Sequence, residues 1–220
     1  MSLGDSVPRA VADAVAAFRA GDPVLVHDFS DREGEVDLVV PPRAVGPADV
    51  ARLRNDAGGL ICVALGDAAA DAFDLPFLAD ELDHPAAEAS HLGYDERSSF
   101  SLPVNHRDTY TGVTDEDRAT TISALGDAAA DPEGTDFAAE FRAPGHVHVL
   151  RAAPGLLAER RGHTELGVAL ARAADCPPAA VVCEMLADDG QALTVAAARD
   201  YAERHGFAFV EGADLVEALA

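Results

Sequence analysis

Apolar positions along the chain recur with two different periods. In "VPRAVADAVAAFRAG", Val7, Val11, Ala14 and Phe18 are spaced as on one face of a helix, and Gly21 is placed to stop it. "PVLV" and "VDLVV" then read as short buried strands, joined by an acidic stretch in which Gly34 permits a tight turn. "PADVARLRNDAGG" predicts a helix with a glycine end, and "LICVAL" a buried strand. Between residues 66 and 110 the periodicity fades, and the prolines and polar residues predict a long connection with one short helix. "HVHVL" and "AAVVCEML" are strand-like, whereas "HTELGVALARAAD" and "TVAAARDYAERHG" are amphipathic helices. "FAFVE" adds a last strand, followed by a short helix. "GDAAAD" occurs at 66–71 and again at 126–131, too short a match for a repeat, and no low-complexity linker divides the chain. The alternation predicts a single mixed α/β domain over residues 1–220, one sheet flanked by helices.

Composition narrows the setting. No apolar run approaches the ~18 residues of a membrane span, and the N-terminus lacks the basic start and long apolar stretch of a signal peptide. A cytoplasmic protein without membrane attachment is expected. Cys62, Cys176 and Cys183 cannot all pair and have no metal-binding spacing, which fits a reducing compartment. Cys62 and Cys183 lie in apolar strands and read as core thiols.

The formal net charge of −23 changes the picture more. All sixteen basic residues are arginine, and the acidic excess is spread through the chain. Such a surface suits high salt, where the Debye length falls to ~3 Å near 1 M and self-repulsion is screened. Nucleic acid is a poor partner for it. Without lysine, neither a side-chain Schiff base nor lysine-bound pyridoxal phosphate is available.

Candidate chemistry gathers in four places. The first is "HDFSDREGEVDLVV", where Asp28, Asp31, Glu33, Glu35 and Asp37 crowd around Arg32. It is either a solvated acidic turn or a holder of hard cations such as Mg²⁺ or Mn²⁺. The second is "APGHVHVLRA", in which His146 and His148 would share one face of a strand and could reach one site. The third is "ERRGHTELGVAL": Gly162 and His163 open a helix that Thr164 is placed to cap, and Arg160 and Arg161 add charge for a phosphate. The fourth is Glu184, a carboxylate within an apolar strand, where burial would raise its pKa into a useful acid–base range.

In sequence order, "DREGEVDLVVP", "TYTGVTDEDRATTI", "RAPGHVHVLRA", "RRGHTELGVAL" and "AVVCEMLADDG" resemble the successive motifs of the 3,4-dihydroxy-2-butanone 4-phosphate synthase family. The resemblance runs from about residue 10 to 215, and the stretch 76–106 looks like the archaeal form. Arg161 stands where bacterial relatives commonly carry glycine. The family's fold, a mixed sheet flanked by helices, is therefore expected here. So is conversion of D-ribulose 5-phosphate to 3,4-dihydroxy-2-butanone 4-phosphate and formate in riboflavin biosynthesis. The resemblance implies Glu33 and His163 as ligands of Mg²⁺ or Mn²⁺, two ions per site. It implies Arg32, Glu33, Asp37, Arg160, Arg161, Gly162, His163, Thr164 and Glu184 as substrate contacts, and His146 and Glu184 as essential to catalysis. It also implies a homodimer. Asp37, Glu35 and Glu184 all remain candidates for removing the first proton. Two other readings stay open: another metal-dependent sugar-phosphate isomerase or aldolase, and a non-catalytic RNA-binding module of related fold.

Overall fold

The structure is a computed structural model that describes residues 7–29, 32–87, 93, 95 and 97–220. Asp31 of the acidic stretch lies outside the described residues. In chain order the elements are α1 (Arg9–Ala20), β1 (Val24–His27), β2 (Val36–Val40), α2 (Pro47–Asn55), β3 (Cys62–Leu65), α3 (Asp67–Ala72), α4 (Leu78–Glu81) and β4 (Phe100–His106). There follow α5 (Asp115–Ala130), α6 (Phe137–Glu140), β5 (Phe141–Arg151), α7 (His163–Ala173), β6 (Ala179–Glu184), α8 (Val195–His205), β7 (Ala208–Glu211) and α9 (Gly212–Leu219). The strands form one seven-stranded mixed sheet in the order β4-β5-β3-β6-β2-β1-β7. The β1–β7 and β3–β5 pairs are parallel, and the others are antiparallel.

Strand alternation assigns the two faces. Val39, Cys62 and Val182 turn toward α1, α7 and α9, in a core with Phe18, Leu166, Leu170 and Leu215. Leu38, Val63, Val181 and Cys183 turn the other way, to pack with Leu53, Ile122 and Tyr201 of α2, α5 and α8. Central strands buried on both faces carry continuous apolar runs, which is why "LICVAL" and "AAVVCEML" are so readable. Gly21 closes α1 in the left-handed conformation, as its position predicts.

Two elements depart from the sequence reading. The expected long connection contains β4, and α3 and α4 in place of one short helix. Pro103 obscures the strand pattern, and it is tolerated because β4 is the sheet's edge and its pairing with β5 is irregular. The longest helix, α5, gave no apolar stripe because its buried face is mostly small: Ala119, Thr121, Gly126, Ala128 and Ala129 sit beside Ile122 and Leu125. The two "GDAAAD" strings fall at the start of α3 and the end of α5, two unrelated settings.

Candidate active site

The acidic stretch links β1 and β2 as a hairpin. The Asp28 N–H donates to the Glu35 carbonyl at 3.0 Å, and Gly34, at φ 66°, makes the turn. From there β2 carries Asp37 into the interior on the face that α7 covers, where it is 2% exposed. Its Cα partner across the β2–β6 ladder is Glu184. Directly opposed residues present their side chains on one face, so these two carboxylates are neighbours.

Helix α7 approaches the same spot with its N-terminus. Gly162 is the N-cap, and Thr164 lies inside the first turn, fully buried, so it does not cap the helix as expected. The chain enters the helix two residues earlier than a threonine cap would place it, and the first helical residue is His163. The His163 Nδ1 lies 2.9 Å from Glu35 Oε1 and 3.2 Å from Glu33 Oε2. Burial disfavours charge on this ring, but Asp37, Glu33 and Glu35 outweigh it and hold the pKa well above the ordinary histidine value. Burial pushes the Asp28 carboxyl up to about 6, with Glu33 and Glu35 adding to it against Arg32. Asp37 is raised further, first by burial and then by the carboxylates of Glu35, Glu184 and Glu33. Burial, Glu35 and Glu33 likewise raise Glu184.

Too many acids surround too little positive charge, and the geometry offers a remedy. Ligand atoms of Asp28, Glu33 and His163 lie within 4.8 Å of one another, as do those of Glu35, Asp37 and His163. Asp28 Oδ2 and Asp37 Oδ2 are buried and accept no hydrogen bond from the described residues. Hard oxygen donors with one imidazole, two of those oxygens lacking a donor, suit Mg²⁺ or Mn²⁺. These residues fit a divalent cation.

The two histidines of β5 do not share a site. Pairing with β4 runs from Pro103↔His148 and Val104↔Val147, then jumps to Asn105↔Arg142, leaving residues 143–146 in a bulge. There the backbones approach so closely that a Cβ on Gly145 would lie 1.9 Å from the Val104 carbonyl carbon. His146 sits in the bulge, exposed, its N–H donating to Asn105 Oδ1 at 2.9 Å and its ring beside the same side chain. His148 keeps the regular alternation and faces the carboxylates, and burial lowers its pKa. A strict two-residue period placed both on one face; the bulge breaks it.

A cavity of about 860 Å³ brings together Glu33, Glu35, Asp37, His148, Arg160, His163 and Glu184. Against it lies a second cavity, about 830 Å³, lined by Arg32, Arg97, Arg151, Arg160 and Arg161 among others. The two share Asp95, Arg97, Ser99 and Arg160. The first cavity is thus rich in carboxylates, whereas the second sets five guanidinium groups beside the carboxylates of Asp80, Asp95, Glu159 and Glu165. The Asp95 carboxylate joins the two cavities, accepting from Arg160 Nε at 2.5 Å and Arg32 Nη2 at 3.2 Å. Of the expected site residues, the first cavity gathers Glu33, Asp37, Arg160, His163 and Glu184, whereas Arg32 and Arg161 line the second and His146 lines neither. Asp95, Arg97, Arg151 and Glu165 were not legible as site residues, since their strings carry no motif of paired function. Cys62 lines the first cavity, and burial pushes its thiol far up, so it is a packing group there.

The sequence pattern described as 3,4-dihydroxy-2-butanone 4-phosphate synthase matches residues 12–218. Among curated relatives, the 3,4-dihydroxy-2-butanone 4-phosphate synthase of Archaeoglobus fulgidus is 49% identical over 218 residues, covering 93% of this chain and 92% of the relative. That of Agrobacterium fabrum is 34% identical, with 95% and 91% covered. A solved structure of the synthase in complex with two magnesium ions superposes with a TM-score of 0.78 at 32% identity, covering 94% of this chain and 95% of that one. The Candida albicans synthase gives a TM-score of 0.80 at 28% identity, covering 98% and 100%.

Proposed function

The chain belongs to the 3,4-dihydroxy-2-butanone 4-phosphate synthase family, and from that premise we propose how its residues divide the work. It is a lyase that converts D-ribulose 5-phosphate to 3,4-dihydroxy-2-butanone 4-phosphate and formate in riboflavin biosynthesis, with divalent metal. The observation that carries the reading is the meeting of Asp37, Glu184 and His163 in a carboxylate-lined cavity that adjoins one lined by five arginines. An aldolase or isomerase is not favoured by the family membership, and an RNA-binding module is a poor match for an acid-lined cleft.

Glu33 and His163 hold the cation, Mg²⁺ or Mn²⁺, with Asp28, Glu35 and Asp37 close enough to share two ions. When bound, the cation supplies positive charge for the substrate oxygens that gain charge on enolisation. Proton movement falls to the Asp37–Glu184 pair. Burial and the surrounding acids raise both carboxyls above the ordinary carboxylate range, so each takes up a proton more readily than an exposed acid does. Arg32, Arg160 and Arg161, with Gly162 and Thr164 at the start of α7, take the phosphate end. The buried Thr164 hydroxyl, which has no hydrogen-bond partner among the described residues, adds a donor there. Binding at that distance from the reacting carbons orients them.

We further propose a cytoplasmic homodimer with its sites near the interface. His146 supports this: it is exposed and outside its own chain's cavity, so an essential role requires a partner subunit to meet it. The cysteines are free thiols, in keeping with a reducing compartment. No helix among the described residues is long and apolar enough to cross a membrane.

Calorimetric titration tests the assignment of ligands. Mg²⁺ should bind the wild-type protein, and Glu33→Gln or His163→Ala should abolish both that heat and turnover while leaving the circular dichroism unchanged. A folded variant of either kind with wild-type Mg²⁺ affinity would overturn it.

A further inference from the structure

Glu165 is a fully buried carboxylate that takes no part in the roles above. It follows the Gly162-His163-Thr164 turn at the third helical position of α7, where a glutamate ordinarily reads as half of a capping box. The structure gives it different partners. One oxygen accepts from the Ala153 N–H at 2.9 Å, and the other accepts from Arg160 Nη1 at 2.6 Å. To make that contact Arg160 folds back over the helix start, and a Cβ on Gly162 would lie 2.5 Å from its Nη1. The other edge of the guanidinium, through Nε, meets the Asp95 carboxylate at the boundary of the two cavities. An anion position beside Arg160 and Arg32 is therefore already filled by a carboxylate oxygen, and a phosphate oxygen fits the same donors.

We infer that Glu165 is a positioning residue for substrate binding: it clamps Arg160 from beneath so that the Nε edge of the guanidinium points into the anion position. The inference rests on the reading of Arg160 as a phosphate contact. An arginine side chain loses rotamer freedom when fixed; here the buried carboxylate fixes it before substrate arrives, so less binding energy is lost to ordering. The same carboxylate ties the Ala153 end of the preceding loop to the helix, so both ends of the arginine-bearing segment are held by one side chain. Glu165 touches no reacting atom, and its effect belongs to binding of the phosphate end.

The test compares Glu165→Gln, Arg160→Gln and the double variant in the full-length, Mg²⁺-loaded protein, reading KM for D-ribulose 5-phosphate, kcat, and the inhibition constant of inorganic phosphate. Glu165→Gln should raise KM and the phosphate inhibition constant at least about 10-fold with kcat within about 3-fold. In the Arg160→Gln background it should add little, because the group it positions is already gone. If Glu165→Gln does not fold, Glu165→Asp keeps the charge, shortens the reach by one methylene and should shift KM in the same direction. Normal KM and phosphate inhibition in a folded Glu165 variant, with both raised in Arg160→Gln, would overturn the inference and leave the reading of Arg160 standing. So would effects of the two single changes that simply add. Unchanged values in Arg160→Gln would instead overturn the phosphate assignment on which it rests.

Discussion

At the scale of single residues, the site is a cluster of acids that holds protons until a cation replaces them. A carboxyl whose pKa is raised on folding binds its proton more tightly in the folded state. Its stabilising contribution is therefore complete below its ordinary value of 3.8 and is lost as pH rises, through about 6 for Asp28 and higher for Asp37. His163 acts in the same direction above its ordinary 6.5, since its pKa is also raised. The metal-free protein should lose thermal stability from about pH 5 to about pH 8, while Mg²⁺, competing with those protons, should raise Tm more at the upper end. Melting curves with and without Mg²⁺ at both pH values check this; an equal Mg²⁺ shift at both would contradict it. Several of these residues were legible from the sequence because they crowd one stretch or interrupt an apolar run, as Glu184 does. Glu165 was not, because a glutamate in a first helical turn looks like an ordinary capping group.

At the scale of elements, continuous apolar runs made β2, β3 and β6 readable, and a glycine end made α1 readable; α2 stops at Asn55 with Asp56 as its C-cap, short of the Gly58 and Gly59 that were expected to end it. The edge was harder. In β4 and β5 the information lies in how two strands meet, and no local pattern in either strand announces the four-residue bulge between Arg142 and Val147. That bulge is why His146 and His148 part company, despite a spacing that suggests one face. The bulge depends on Gly145, where an added methyl group would collide with the Val104 backbone. Gly145→Ala should therefore destabilise the protein by ~1–3 kcal/mol and release His146 from Asn105. Chemical denaturation measures the first effect. A crystal structure of the variant with the bulge and the His146–Asn105 contact unchanged would contradict the second.

At the scale of the whole molecule, 39 acidic residues face 16 basic ones. Raising salt from ~0.1 M to ~1 M shortens the Debye length from ~10 Å to ~3 Å, removing most repulsion between separate surface patches. Both Tm and activity should rise with KCl into the molar range, with Mg²⁺ replacing part of the KCl requirement at the acidic cavity. A Tm that stays flat or falls over that range would show that the acidic surface is no adaptation to salt. The overall charge was plain from composition, but its division into a carboxylate-lined and an arginine-lined cavity was not, since only the folded sheet sets those groups side by side. That division underlies the central claim, that this chain cleaves a phosphorylated ketose by metal-assisted acid–base chemistry at Glu184 and its neighbours. Formate released from D-ribulose 5-phosphate in KCl and Mg²⁺ tests it most directly. One formate per ribulose 5-phosphate consumed is predicted, none with EDTA, and a kcat at least about 100-fold lower for Glu184→Gln. Consumption of the substrate without formate, or full activity in the chelated protein or in Glu184→Gln, would contradict it.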